Sequence, residues 1–206
     1  MLGTLMKANA RKKGPLTIYL AGPDVFVPNV AEIGRRKKDL CREFGFEGLF
    51  PADHEADVSD AAAIFKANCA LMNRADAGIF NLTPFRGPSA DPGTVFELGY
   101  MFAGGKPLFG YSSVAPAYRP RVESDFGPTF ESGGRPFDRY GLAVENFGLA
   151  DNLMIARSIE ESGGAFVSVE EAGASNAETL VAIEAFHACL HRLRQCWVES
   201  DEHRDY

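Results

Sequence analysis

The stretch AGIFNLTPFRGPSADPGTVFELGYMFAGGKPLFGYS, residues 77–112, reads as one complete β-α-β unit. It opens on the run AGIFNL (77–82), too apolar to alternate, as in a strand buried on both faces. The loop TPFRGPSADPG follows, rich in turn formers. TVFELGYMFAGG then reads as a helix stopped by its glycines, and KPLFGYS (106–112) as the next strand. Within that helix Glu97 stands among Val95, Phe96, Leu98 and Tyr100, and Asp91 precedes it by six residues. Acids are rarely placed in apolar surroundings without a partner or a task.

The same alternation extends in both directions. LTIYLAG (16–22) is a buried strand ended by GPD. NVAEIGRRKKDLCREFG repeats Val30, Ile33, Leu40, Cys41 and Phe44 near helical period, with Gly45 placed to stop it. FEGLFP (46–51) is a short strand, and SDAAAIFKANCALMNRAD (59–76) a helix with Ser59 as its expected N-cap. Later, DNLMIARSIEES reads as helix and AFVSV as a last strand. NAETLVAIEAFHACLHRLRQCWV closes the chain as an amphipathic helix with Leu180, Ile183, Leu190, Leu193 and Trp197 inward. Strands alternating with helices predict a doubly wound, five-stranded parallel sheet, flavodoxin-like, in three α/β/α layers. Residues 1–15 read as a disordered arm, 16–198 as a single domain and 199–206 as a solvated tail. Residues 113–148, rich in Gly, Pro and Ser and without clear period, are too long for a plain connection. They are expected to form a lid, an interface arm or a partly disordered insertion.

The 206 residues, 46% hydrophobic and 24% charged, are of ordinary globular composition. A net charge of −7 argues against a nucleic-acid polymer as partner but not against nucleosides. Without an 18-residue apolar run, a membrane span is not expected, and the cysteine usage points to a reduced, cytoplasmic compartment. No metal or cofactor is expected. His187 and His191, at i,i+4, read as a helix face, and no cysteine sits on a strand-end loop where it could serve as a nucleophile.

In doubly wound sheets ligands bind beyond the carboxyl ends of the strands. AGPDVF, TPFRGPSADPG and the start of the Glu97 helix should therefore share one rim. Tyr19, Phe26, Phe85 and Phe96 fall on or near it and could stack a planar ligand, with core packing the expectation for Phe96. The loop lacks both the G-x-x-x-x-G-K-[ST] lysine and the G-x-G-x-x-G spacing. On local pattern alone, Asp91 is equally a helix cap and Glu97 equally a snorkelling or paired structural acid.

TIYLAGPDVF, ADAGIFNLTPFRGPSADPGTVFELGYMFAGGKPLFGY and FGLADNLMI together resemble the nucleoside 2-deoxyribosyltransferase family, over roughly 16–111 and 147–155. The D-x-G-T-x-x-E-x-G core followed by N-L-M carries the resemblance. It implies cleavage of the N-glycosidic bond of a 2′-deoxynucleoside and transfer of the sugar to another nucleobase. Glu97 matches the nucleophilic carboxylate, Asp91 the acid that handles the base proton, and Tyr19 the residue that orients the nucleophile. Asn152 and Met154 match residues that complete a neighbouring subunit's site, so a homo-oligomer is implied. The rim residues Gly22, Phe26, Phe85, Arg86, Ser89 and Gly93 are expected substrate contacts. So is Asn68, which stands where some members carry a further carboxylate. The alternatives are an N-glycosidase acting on nucleosides or their 5′-monophosphates, which Arg86 and Ser89 could favour, and a non-catalytic nucleotide-binding module.

Overall fold

A computed structural model describes residues 14–53, 59–169 and 180–202, with side chains to residue 197. Most of the expected arm at 1–15 and the end of the expected tail at 199–206 lie outside the described residues, as does His54. Five parallel strands form the central sheet: β1 (Leu16–Ala21), β2 (Phe46–Leu49), β3 (Ala77–Asn81), β4 (Leu108–Ser112) and β7 (Phe166–Ser168). Their order is β2-β1-β3-β4-β7. The chain winds outward from β1 to one edge, returns through β3 and proceeds to the other, which is the doubly wound arrangement.

The period-2 geometry of the strands sorts their side chains between two helical layers. Leu16, Ile18 and Leu20 of β1, with Ile79 and Phe109, face α1 (Val30–Glu43) and α6 (Ile183–Glu202). Tyr19 and Ala21, with Phe80 and Leu108, face α2 (Ala61–Arg74), α3 (Pro92–Ala103) and α5 (Leu153–Glu161). α1 ends as expected, with Gly45 in the left-handed region at φ 80°. α2 is capped one residue later than expected: Asp60, not Ser59, accepts the amides of Ala62 and Ala63. Asp60 has the extended backbone and the short carboxylate that position requires.

The 113–148 segment has secondary structure of its own. α4 (Tyr118–Phe126) is followed by the antiparallel hairpin of β5 (Phe130–Ser132) and β6 (Arg135–Phe137). Gly133 and Gly134 make its turn with φ of 59° and 76°, the paired positive values of a two-residue hairpin loop.

One buried polar network crosses the α1/α6 side of the carboxyl rim. Lys37 of α1, 1% exposed, pairs with Asp24 at 2.6 Å and donates to the Tyr111 hydroxyl at 2.6 Å. Its ammonium also lies over the Tyr111 and Phe186 rings, at 5.3 and 5.2 Å from their centroids. Asn81, at the end of β3, donates to Asp24 at 2.9 Å and to the Leu180 carbonyl at 2.7 Å. Burial pushes the Asp24 carboxyl up and the Lys37 ammonium down, and the attraction between them opposes both shifts. The network fixes the 3-10 turn Pro23–Phe26 against the sheet. Gly22 enters that turn so close to β3 that a Cβ would lie 2.5 Å from both Asn81 Cβ and Asp24 Oδ2.

Candidate active site

Tyr19 and Glu97 meet where β1 faces α3. The Tyr19 ring is fully buried in the α2/α3 layer and its hydroxyl donates to Glu97 Oε1 at 2.6 Å. Asn68, on α2, directs its Nδ2 to the same oxygen at 3.4 Å. The Asn68 Oδ1 is buried and finds no hydrogen-bond partner among the described residues. Both donors converge on Oε1, which leaves Oε2 as the carboxylate oxygen presented to a ligand.

Burial, with a smaller contribution from the Asp91 charge, pushes the Glu97 carboxyl up from 4.5 to about 7. The bonds from Tyr19 and Asn68 act in the opposite sense, because they favour the anion. Burial and the nearby Glu97 charge drive Tyr19 well above the ordinary phenol range, so it remains a donor.

Asp91 caps α3: its Oδ2 accepts the Thr94 amide at 2.9 Å and the Thr94 hydroxyl at 3.0 Å. The capping explanation is therefore correct, and the same carboxylate is still close enough to act on Glu97. Pro92 starts the helix, where its missing N–H costs nothing, and a Cβ on Gly93 would lie 3.0 Å from Asp91 Oδ2.

Phe26 and Phe85 stack with centroids 5.3 Å apart and planes 10° from parallel. The Arg86 guanidinium lies 4.7 Å from the Phe85 centroid and 5.7 Å from that of Phe26. Arg86 is held there from a left-handed backbone at φ 56°. The rim loop thus joins a β1-side and a β3-side aromatic under one cation, an arrangement suited to a flat ligand. Ser89 instead turns inward and donates to Asp151.

Asn152 and Met154 make their contacts elsewhere. Asn152 caps α5, accepting the Met154 amide at 3.0 Å, and donates to Glu145 Oε1 at 2.8 Å. Met154 is 68% exposed. Phe96, expected in the core, is 53% exposed and lies between Phe65 and Tyr100, at centroid distances of 6.1 and 6.3 Å. α3 carries apolar side chains all round, and one sheet can cover only one of its faces. His187 and His191 pack edge-on against Phe44.

Sequence reasoning passed over Lys37, Arg121 and Asp151. Lys37 had a usable signal, since it shares the helical face of Ile33, Gly34 and Cys41, all buried. The other two join segments too far apart in sequence for spacing to reveal.

The fold and the position of this cluster are those of α/β proteins that take ligands over the strand ends. The model of the nucleoside 2-deoxyribosyltransferase family matches residues 18–154. An uncharacterized protein of Schizosaccharomyces pombe is 39% identical over 171 residues, covering 74% of this chain and 81% of that protein. Among solved structures, a 2-desoxiribosyltransferase from Leishmania mexicana is 36% identical with a TM-score of 0.56, covering 68% of this chain and 85% of that one. The chain belongs to the nucleoside 2-deoxyribosyltransferase family. Membership makes it an enzyme of the transferase or glycosidase type, in a family that binds nucleosides and nucleobases. Among the described residues no helix is long and apolar enough to cross a membrane.

Proposed function

We propose that the protein exchanges the base of 2′-deoxynucleosides through a covalent deoxyribosyl–Glu97 ester. The observation that carries this reading is the half-buried Glu97 carboxylate gripped on one oxygen by Tyr19 and Asn68. Oε2 attacks the anomeric carbon from the face opposite the base, and the N-glycosidic electrons depart with the base. Asp91 supplies or relays the proton that the leaving base requires, and takes it back when the second base attacks. The second attack breaks the ester, frees Glu97 and restores the original configuration. Asn68 cannot titrate, but its unpartnered Oδ1 offers an acceptor to an N–H of the base. The stacked Phe26 and Phe85 give that base a planar wall.

A second copy of the chain is part of the proposal. Exposed Phe65, Phe96 and Met154 offer apolar surface beside the site elements, which water alone would cover poorly. Sedimentation should accordingly give a mass of at least twice 22.4 kDa, and a 22.4 kDa species would overturn the second copy.

The deciding experiment incubates the protein with deoxyinosine and free adenine and separates the products. Deoxyadenosine is the expected product. Hypoxanthine and free deoxyribose with no new nucleoside would overturn transfer in favour of hydrolysis. Inosine in place of deoxyinosine tests the 2′-deoxy requirement.

The raised Glu97 carboxyl sets a pH dependence. The nucleophile must be ionised, so kcat/KM should rise through a limb near pH 7, the value to which burial brings Glu97. Tyr19→Phe removes a donor that favours the anion, so the limb should move to higher pH. It should also lower kcat about 10- to 100-fold, the worth of one hydrogen bond to a charged group. An unmoved limb in Tyr19→Phe would mean that another group controls the profile.

The same shift makes Glu97 costly to the fold. Its native carboxyl binds a proton more tightly than the unfolded one, near 4.5. The fold is therefore unaffected below that pH and loses stability as pH rises from 4.5 to 7. Glu97→Gln should stabilise the protein at pH 8 by up to about 3 kcal/mol, with the gain vanishing near pH 4. Urea unfolding at the two pH values measures it.

A further inference from the structure

Three consecutive residues of the rim loop, Pro88, Ser89 and Ala90, lie directly before the Asp91 cap, and two side chains from distant segments hold them. Arg121 of α4, 8% exposed, donates Nε to the Pro88 carbonyl at 2.8 Å and Nη1 to the Pro116 carbonyl at 2.7 Å. Asp151, 2% exposed, sits behind the loop. Its Oδ1 accepts the Ser89 hydroxyl and the Asn152 amide, the latter at 2.7 Å. Its Oδ2 accepts the Ala90 amide at 3.0 Å and stands 3.4 Å from Arg121 Nη2. A hydroxyl, two backbone amides and a guanidinium converging on one point are what a protein uses to seat a phosphate. Here the seat is filled from inside, by a carboxylate of the chain itself.

We propose that Asp151 is a built-in anion that keeps this loop from accepting phosphorylated nucleosides and so restricts the enzyme to uncharged sugars. The inference rests on the nucleoside reading of the site and names a residue that fixes its selectivity. Two effects act together. The loop's donors are committed inward, so a phosphate entering the rim finds none of them available. The buried carboxylate also repels a second anion at short range.

Asp151→Ala empties the seat while leaving Ser89, Ala90, Asn152 and Arg121 in place, and Asp151→Asn keeps its shape without the charge. Thermal unfolding with and without inorganic phosphate tests the seat without reference to catalysis. Asp151→Ala should lose several degrees of Tm and regain most of them in millimolar phosphate, while wild type responds to neither phosphate nor sulfate. Equal phosphate responses in the two proteins would overturn the seat. Kinetics with deoxyinosine and its 5′-monophosphate test the selectivity. Wild type should prefer the nucleoside by at least a hundredfold in kcat/KM, and Asp151→Asn should narrow that ratio at least tenfold, mainly through KM for the monophosphate. An unchanged ratio, or a wild type that uses both substrates equally, would overturn the selectivity role. If wild type cleaves neither compound, the nucleoside reading itself fails, while the phosphate-dependent Tm of Asp151→Ala still reports on the seat.

Discussion

Glu97→Ala is expected to abolish base exchange, lowering kcat by at least roughly a thousandfold, the scale on which removal of a covalent nucleophile acts. The loss should be specific to chemistry. Tyr19 and Asn68 converge on Glu97 from β1 and α2, elements packed by other contacts, so their placement persists without it. Nucleoside binding measured by calorimetry should therefore survive within about tenfold. A small acid such as formate, added to the variant, should restore part of the bond cleavage by occupying the vacated space. Quenching a mixture of wild type and deoxyinosine in acid should trap a protein heavier by one deoxyribosyl group, and Glu97→Ala should show none. Base exchange at a near wild-type rate in Glu97→Ala would sink the transferase and the hydrolase readings together.

The largest effect on stability is expected at Lys37. Lys37→Met alone leaves Asp24 buried without its counter-charge, which should cost about 3–5 kcal/mol and roughly 10 °C of Tm. Lys37→Met combined with Asp24→Asn should recover most of that loss, because Asn81 keeps an acceptor and no charge is stranded. Urea unfolding of both variants decides the matter. If the double variant is as unstable as the single one, the cost lies in lost packing and cation–π contact over Tyr111 and Phe186, and the unpaired charge is not its source.

The sheet was readable in the sequence because β1, β3 and β4 are continuous apolar runs between turn formers. Each such run has a single way to hide both of its faces. The Tyr19–Glu97 meeting was legible only in part. Strand-end rules brought the two residues to one rim, but which oxygen is gripped, and that the Glu97 carboxyl is raised, depend on burial that no spacing encodes. Phe96 was misjudged because most phenylalanines beside such a sheet are core, whereas α3 carries more apolar side chains than the sheet can cover. The 113–148 segment was harder, since its hairpin strands are three residues each and β5 is exposed throughout. Ser-Gly-Gly-Arg at 132–135 did mark the turn, because two successive positive φ values call for adjacent glycines. Arg121 and Asp151 left no such trace. Their partners in the rim loop are 33 residues away for Arg121 and 61 and 62 for Asp151.

The grip of Arg121 on the Pro88 carbonyl sets a boundary for anyone who would trim or transplant the inserted segment. The hairpin β5–β6 closes on itself through its own two-glycine turn, but Glu131 pairs with Arg119 of α4 and the Pro136 carbonyl accepts the Val144 amide, so it is tied at both ends. A cut that takes α4 with it would release the backbone just ahead of Asp91 and strand Asp151 beneath the loop. Shortened chimaeras of this enzyme should therefore keep residues 113–127 with the rest of the domain, and any hairpin that replaces 128–137 must still meet Arg119 and Val144.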